Sequence, residues 1–265
     1  MLSVLIVTFN SATTLDACLE SLRGQVDELE VIVIDNGSAD GSVALADAFP
    51  EARVFELGEN RGFAAANNVG IRASQGEWLL LLNPDAEARP GALRALLDFA
   101  IAHPRAGAVG ARLLNPDGSL QPSGRAFPTV GRYLLEVTGL WHRHISNVYR
   151  EARDYDVSME VDEVSGAALL LRRAALDEVG WLDEGFFLNW EDVDLCRRLR
   201  AAGWQVWYCA EAQVVHHFGV SRAGASDFVR RVSTQGAERY FRKHHGLAAV
   251  AIIKLAHVLK RLVKR

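Results

Sequence analysis

Trp78-Leu79-Leu80-Leu81-Leu82-Asn83-Pro84-Asp85 decides the architecture. Its apolar run is too short for a helix and lacks the alternation of a strand with one wet face. It therefore reads as a strand buried on both faces, the kind that lies in a parallel sheet between layers of helix. The positions just beyond the carboxyl ends of such strands are where an open α/β sheet takes its ligand. An amide and a carboxylate, Asn83 and Asp85, stand there.

Upstream, the same logic repeats. Residues 2–8 form a β-branched apolar run that ends in Phe9-Asn10, and Leu15, Leu19 and Leu22 recur at helical spacing before Gly24. Residues 30–34 read as a second strand. Asp35-Asn36-Gly37-Ser38 follow as a turn whose serine suits a helix N-cap. Residues 53–57 give a third strand and 63–73 a Gly- and Ala-rich helix that can lie close to the sheet; 77–82 is the fourth strand. Four strand–helix alternations within residues 1–90 predict an α/β fold with a mostly parallel central sheet and helices on both faces.

Downstream, Pro90 opens a helix that ends near His103-Pro104, and 107–114 returns to strand. Residues 117–160 mix aromatics, Arg and Gly without a period and read as irregular or lid-like. Residues 164–171 read as strand, 173–179 as a short helix, and 191–202 as a helix stopped by Gly203; 205–208 and 213–218 read as two strands. The expected organisation is one domain over 1–225, with a nucleotide-binding half at 1–90 and an acceptor half at 91–225. A basic helical C-terminal tail over 226–265 follows it.

A 265-residue chain that is 49% hydrophobic and carries a net charge of −4 describes a soluble globular protein. The charge is unevenly placed: residues 226–265 hold ten Lys/Arg and two Asp/Glu, against nineteen and thirty-one in the rest. Within the tail, Leu255, Leu259, Leu262 and Val263 share one helical arc, opposite Lys254, Lys260, Arg261, Lys264 and Arg265. Two readings fit: a terminal helix packed on its own domain, or an amphipathic helix at residues 247–265 lying on an anionic membrane surface. No run approaches the length of a membrane span and no leader precedes residue 2, so the expected location is cytoplasmic, peripheral on the inner face of the membrane. Cys18, Cys196 and Cys209 lack metal or redox spacing and read as buried thiols of a reducing compartment. Nothing in the charge pattern points to nucleic acid.

The polar clusters each admit two uses. Asp35 can cap its own turn, or accept the N3–H that uracil and thymine share. Asn83-Pro84-Asp85 can be a plain turn, or can place Asp85 on a hard divalent cation, Mg²⁺ or Mn²⁺, with Asn83 left for a ribose. Glu191-Asp192, at the head of a helix whose later turns carry Arg197, Arg198 and Arg200, suits the helix macrodipole. The preceding Phe186-Phe187-Leu188-Asn189-Trp190 would partly desolvate such an acid and favour a general base. His216, on an apolar strand face with Val214, can be a core residue or a ligand.

Taken in order, these segments resemble the family 2 glycosyltransferases of GT-A fold, in particular the bacterial rhamnosyltransferase-like group. The stretches that carry the resemblance are Val4 to Asn10, Asp35 to Ser38, Asn60-Arg61-Gly62-Phe63-Ala64, Leu82 to Asp85, Ser165-Gly166-Ala167, and Trp190-Glu191-Asp192-Val193-Asp194-Leu195. The resemblance implies that Asp35 reads the base, flanked by Thr8 and Asn10, and that Asn60, Gly62 and Asn83 complete the nucleotide-sugar site. Asp85 falls in the family's metal motif and His216 matches a later metal-binding histidine. Asp192, beside Glu191, falls at the catalytic base, with Gly166 and Trp190 on the acceptor side. Where many relatives carry an aromatic residue, this chain has Glu163. The implied activity is metal-dependent, inverting transfer of a sugar, rhamnose foremost, from a dTDP- or UDP-sugar to a glycan or polyprenyl-linked acceptor.

Three other classes compete. A nucleotidyltransferase would carry a Gly-rich, basic phosphate loop after strand 1, and Thr8-Phe9-Asn10-Ser11 has neither feature. An inactive nucleotide-sugar-binding module would not need both Asp85 and Asp192. A nicotinamide oxidoreductase would show G-x-G-x-x-G after strand 1.

Overall fold

A computed structural model describes residues 1–138, 155–217 and 226–263. The chain opens β1 (Leu2–Thr8), α1 (Leu15–Glu20), β2 (Leu29–Asp35), α2 (Ser42–Asp47), β3 (Ala52–Glu56), α3 (Phe63–Ala73) and β4 (Trp78–Leu82). It continues through β5 (Ala86–Ala88), α4 (Ala92–Ala102), β6 (Ala106–Leu114), β7 (Leu120–Gln121), β8 (Gly124–Arg125) and α5 (Val130–Thr138). The remainder is β9 (Met159–Glu160), β10 (Glu163–Val164), β11 (Ala168–Arg172), α6 (Arg173–Val179), α7 (Glu191–Ala201), β12 (Gln205–His216) and α8 (Ser226–Val263).

The main sheet runs β3-β2-β1-β4-β11-β6-β12-β5. The pairs β3–β2, β2–β1, β1–β4 and β6–β12 are parallel, as the strand–helix alternation requires. Strand β11 enters antiparallel between β4 and β6, and β5 pairs antiparallel with β12. A mixed, mostly parallel sheet results. Alternation along β1 sends Leu2, Val4 and Ile6 to the face covered by Leu15 and Leu19 of α1 and by Leu22 just after it. Leu5 and Val7 go to the face covered by Ala64, Ala66 and Ile71 of α3. All five residues of β4 are buried, as the Trp-Leu run demands, and each such side chain contributes about 1.5–3 kcal/mol relative to exposure.

Several boundaries differ from the expectation, and the differences shape the site. Residues 205–208 and 213–218 were expected as two strands, but β12 is continuous from Gln205 to His216. It absorbs polar Glu211 and Gln213 through a register shift against β6 between Cys209 and Gln213. The run 164–171 is interrupted: Ser165-Gly166-Ala167 break between β10 and β11. Helix α2 starts at Ser42 rather than after Ser38, because Asp40 accepts hydrogen bonds from the Ser42 N–H and hydroxyl. Of the segment 117–160, residues 117–138 and 155–160 hold short strands and α5, while 139–154 lie outside the described residues.

Helix α8 is broken at Gly246, whose φ of 81° and ψ of 178° are not helical. Before the break, Tyr240 and Phe241 are fully buried; after it, Ala249, Val250 and Ile253 join the same cluster with Phe186. Tyr133, Trp190 and Val193 pack against its edge. The opposite face of the second half leaves Leu247, Ile252, Leu255 and Val258 exposed. The side chains of Leu259 through Arg265, which complete the expected apolar arc and basic row, lie outside the described residues.

Candidate active site

Strand pairing sets Thr8 directly across from Asp35, at the carboxyl ends of β1 and β2. The buried Asp35 carboxylate accepts the backbone N–H groups of Gly37 (3.1 Å) and Ser38 (3.1 Å). The turn reading of this residue is thus realised, which leaves its further lone pairs for a ligand. Thr8 Oγ1 is buried and has no hydrogen-bond partner. Asn10, at φ 52°, donates its N–H to Ser38 Oγ (2.9 Å) and accepts the Ala39 N–H (2.8 Å). Its side chain ties the loop after β1 to the loop after β2.

The loop at Asn60-Arg61-Gly62 is tied to the same place by Asn36. Asn36 Nδ2 donates to Asn60 Oδ1 (3.0 Å) and Asn36 Oδ1 accepts the Arg61 N–H (2.8 Å). Gly62, at φ 87°, leaves room for no side chain: a Cβ would stand 2.5 Å from the Phe187 carbonyl oxygen. The next N–H, of Phe63, donates to that carbonyl at 2.7 Å. Here the nucleotide half meets the segment that leads into α7.

The third cluster forms around β5, a strand the sequence reading did not anticipate. It pairs Ala86 with His216, and the His217 N–H donates to the Asp85 carbonyl at 2.8 Å. That pairing brings the two expected ligands together: His216 Nε2 lies 3.3 Å from Asp85 Oδ1 and 3.3 Å from Asn83 Nδ2. On the other side of the ring, Gln121 Oε1 accepts from Nδ1 at 2.6 Å. With its proton on Nδ1, the imidazole turns the Nε2 lone pair toward the carboxylate. A carboxylate and an imidazole at that separation can pair through a proton or hold a cation between them. Adjacent ligands of an octahedral ion with bonds of about 2.1 Å lie about 3 Å apart, so the pair fits Mg²⁺ or Mn²⁺. The described residues hold no cluster of three or more acid, His or Cys ligands, so oxygens of a bound diphosphate would have to complete the shell.

On the acceptor side, Asp192 Oδ2 accepts the Gly166 N–H at 2.9 Å, the group freed where 164–171 breaks. Asp192 is half-buried, whereas Glu191 is buried, so a substrate hydroxyl can approach Asp192. The two residues before them, Asn189 (φ 65°) and Trp190 (φ 78°), are both left-handed, a strain found where surrounding structure over-determines the backbone. The aromatics expected to desolvate the acid pack instead on α8. Phe186 is buried there, and the Trp190 ring lies 5.8 Å from Tyr133 and 5.3 Å from Tyr240. Glu163 is buried, its Oε2 without a partner. Burial foremost, with the charges of Asp192 and Asp162 added and Arg125 opposing, pushes its carboxyl up to about 8.

The three clusters are contiguous. The Asn83 N–H donates to the Ala167 carbonyl (3.0 Å), which joins the Asp85–His216 pair to the Gly166 segment. Gln121 and Asn36 were missed as site residues. Gln121 lies in a two-residue strand inside the stretch that showed no period, and Asn36 was read only as part of a turn.

These clusters gather at the strand ends of an α/β sheet, where such sheets take their ligands. The chain belongs to glycosyl transferase family 2, whose sequence model matches residues 3–180. Asp192 and His216 lie beyond that match. Among relatives, it is 38% identical over 234 residues to an N-acetylglucosaminyl-diphospho-decaprenol L-rhamnosyltransferase of Mycobacterium tuberculosis, covering 82% of this chain and 76% of that protein. Among solved structures, a mannosyltransferase from Pyrobaculum calidifontis in complex with GDP-Man and Mn²⁺ aligns with a TM-score of 0.64 at 20% identity, over 98% of this chain and 71% of the other. GalNAc-T7 with UDP, GalNAc and Mn²⁺ aligns at 0.63 and 15% identity, over 82% of this chain but 43% of the other. These two likenesses show the fold, which is GT-A.

Proposed function

We propose that this glycosyltransferase transfers a deoxysugar, rhamnose foremost, from a dTDP- or UDP-sugar to a glycan on a polyprenyl diphosphate, with inversion and with a divalent cation. The observation that carries the metal and the donor class is the His216–Asp85 pair, oriented by Gln121 at the carboxyl end of β4. The sugar and the acceptor are carried by the relative of 38% identity, whose name specifies L-rhamnose and an N-acetylglucosaminyl diphosphate lipid.

Asp35 and Thr8 accept and donate at the pyrimidine edge, and Asn60 and Gly62 line the path toward the sugar. Asp192, held by the Gly166 N–H, takes the proton of the acceptor hydroxyl as that oxygen forms a bond to the anomeric carbon. The bond from the anomeric carbon to the diphosphate oxygen breaks in the same displacement, and its electrons leave with the nucleoside diphosphate. A cation bound to Asp85 and His216 would offset the charge gathering on that leaving group. One displacement inverts the centre and needs no enzyme nucleophile. None of the cysteines can serve as one, since all three are buried and burial raises their thiols.

No helix among the described residues is long and apolar enough to cross a membrane. The outward face of α8 beyond Gly246 supplies the contact that a lipid-linked acceptor needs. Leu247, Ile252, Leu255 and Val258 are exposed along it, and Lys254 is exposed among them. Lys260, Arg261, Lys264 and Arg265 follow in sequence, so the complementary partner is an anionic leaflet. Replacing Ile252, Leu255 and Val258 together by Ser should abolish flotation with anionic vesicles and spare transfer to a short soluble acceptor. Retained flotation sinks the contact.

The decisive test is a donor screen that reads released nucleoside diphosphate with a polyprenyl-diphosphate N-acetylglucosamine acceptor, with Mg²⁺, Mn²⁺ or chelator. Release from dTDP-rhamnose that requires both acceptor and cation is expected. Equal rates with chelator would remove the metal from the reading.

A further inference from the structure

Glu163 is a buried acid beside the site that the proposed mechanism does not use. It sits in β10, register-paired with Arg125 of β8, and is 7% exposed. Its neighbour Val164 faces the core, where a Cβ on Gly110 would meet it at 2.5 Å. The charged and titratable groups whose fields reach Glu163 come from four sides: Arg125 on β8, Asp162 beside it, Asp192 and Cys196 on α7, and Tyr240 on α8. All of these but Arg125 are acids or weak acids, and no donor reaches Oε2. A carboxylate charge here would be poorly hydrated and would lack a hydrogen bond at Oε2.

The chain then runs two residues to Ser165 and Gly166. The Ser165 N–H donates to the Ser123 carbonyl at 2.9 Å, and the Gly166 N–H holds Asp192 at 2.9 Å. We propose that Glu163 is a positioning residue for Asp192: its uncharged carboxyl lets β10 stay paired with β8, so that Gly166 presents its N–H to the base. Ionisation would drive the side chain toward water or Arg125, pull on β10 and shift Gly166, while adding a second negative charge beside Asp192. The inference rests on Asp192 being the base of the transfer reaction. The buried carboxyl, pushed up to about 8, makes the consequence visible in an accessible range of pH.

The experiment compares the native protein with Glu163→Gln, which keeps the shape and cannot ionise. Initial rates of nucleoside diphosphate release are read with Mg²⁺ and limiting acceptor from pH 6.5 to 9.5. One ionisation near 8 predicts that the native rate falls about tenfold between pH 7 and pH 9. The variant should match the native rate within about twofold at pH 7 and lose less than about twofold by pH 9. An alkaline limb that survives in Glu163→Gln overturns the proposal, as does a folded variant inactive at pH 7. If Glu163→Gln does not fold, Glu163→Met is judged by the same two criteria. If the native protein transfers no sugar from any donor, the functional reading fails, and the pH dependence of melting for native and variant then decides whether Glu163 is held uncharged at all.

Discussion

The nucleotide half and the acceptor half of the site are held in different ways. In the first, the loops after β1, β2 and β3 tie one another together: Asp35 holds Gly37 and Ser38, Asn10 holds Ala39, and Asn36 holds Asn60 and Arg61. In the second, Asp192 is held by the Gly166 N–H, and its flanks are gripped by a separate helix, α8. Arg239 and Lys243 bind Asp183 at 2.7 and 2.9 Å. Lys243 and His244 bind the fully buried Asp194 at 2.8 and 2.7 Å. The nucleotide half is a cradle tied within itself, so damage there should appear as lost affinity. The acceptor half is a geometry maintained from a distance, so damage there should appear as lost turnover.

Asp192→Asn breaks the comparison most sharply if it is wrong. Turnover should fall by roughly 10²–10⁴-fold, as for loss of an acid–base group, with affinity for the nucleotide-sugar nearly unchanged. Glu191→Gln, altering a buried neighbour, should do less. A calorimetric loss of donor binding in Asp192→Asn would place the acid in the donor cradle instead.

The Asp85–His216 pair, proposed to hold the cation, straddles the two halves, since Asp85 follows β4 and His216 ends β12. Asp85→Ala should remove the cation-dependent part of nucleoside diphosphate affinity, and His216→Ala should weaken it. Gln121→Leu should leave both ligands in place yet free the imidazole to turn, at a cost of about 10–100-fold in cation affinity. Titration of Mn²⁺ into each variant with dTDP or UDP present reads this directly. A Gln121→Leu protein with native cation affinity would mean that β5 alone fixes the ring.

Within the cradle, Asp35→Ala should cost roughly ten- to a hundredfold in affinity for UDP or dTDP, since a hydrogen bond to a buried charge is worth about 1.5–3 kcal/mol. The same carboxylate holds the Gly37 and Ser38 turn, so some loss of melting temperature accompanies it. Comparison with ADP, which lacks the matching N–H, separates the two effects. An equal loss for ADP would reduce Asp35 to its turn.

The same contrast explains what the sequence made legible. The first half is built from contiguous motifs, each a strand followed by its own loop, so Asp35 and Asp85 stood out at strand ends from local pattern, whereas Thr8, Asn10 and Asn60 were marked only by the family resemblance. The second half is built by strand pairings and helix contacts far apart in sequence. Strand β5 is three residues long and carries no period, yet it delivers His216 to Asp85. Gln121 sits in a strand of two residues, and Gly166 matters only because a longer apparent strand is interrupted. The two faces of α8 beyond Gly246 are both apolar, so hydrophobic spacing alone did not tell which one packs.

The smallest effect expected concerns stability, and it isolates Glu163 from catalysis. An acid whose folded-state pKa lies above its unfolded value binds its proton more tightly when folded. Its contribution is therefore complete below the ordinary value of 4.5 and is lost as pH rises through about 8. Native protein should melt progressively lower across that window, by a few degrees, while Glu163→Gln should be flatter and overtake it on the alkaline side. Asp183 gives the opposite control. Burial works against its charge, but hydrogen bonds from Arg239, Lys243 and the Gly185 N–H outweigh that and hold it down at about 2, so its contribution is lost only as pH falls toward 2. The two windows do not overlap; burial holds the His244 and His245 imidazoles below their ordinary 6.5, so melting curves between pH 7 and 9 report Glu163 without interference from the α8 grip. Parallel melting curves for native and Glu163→Gln across that range would show that the carboxyl finds a partner or water when charged, and the acceptor half would then be less dry than its packing indicates.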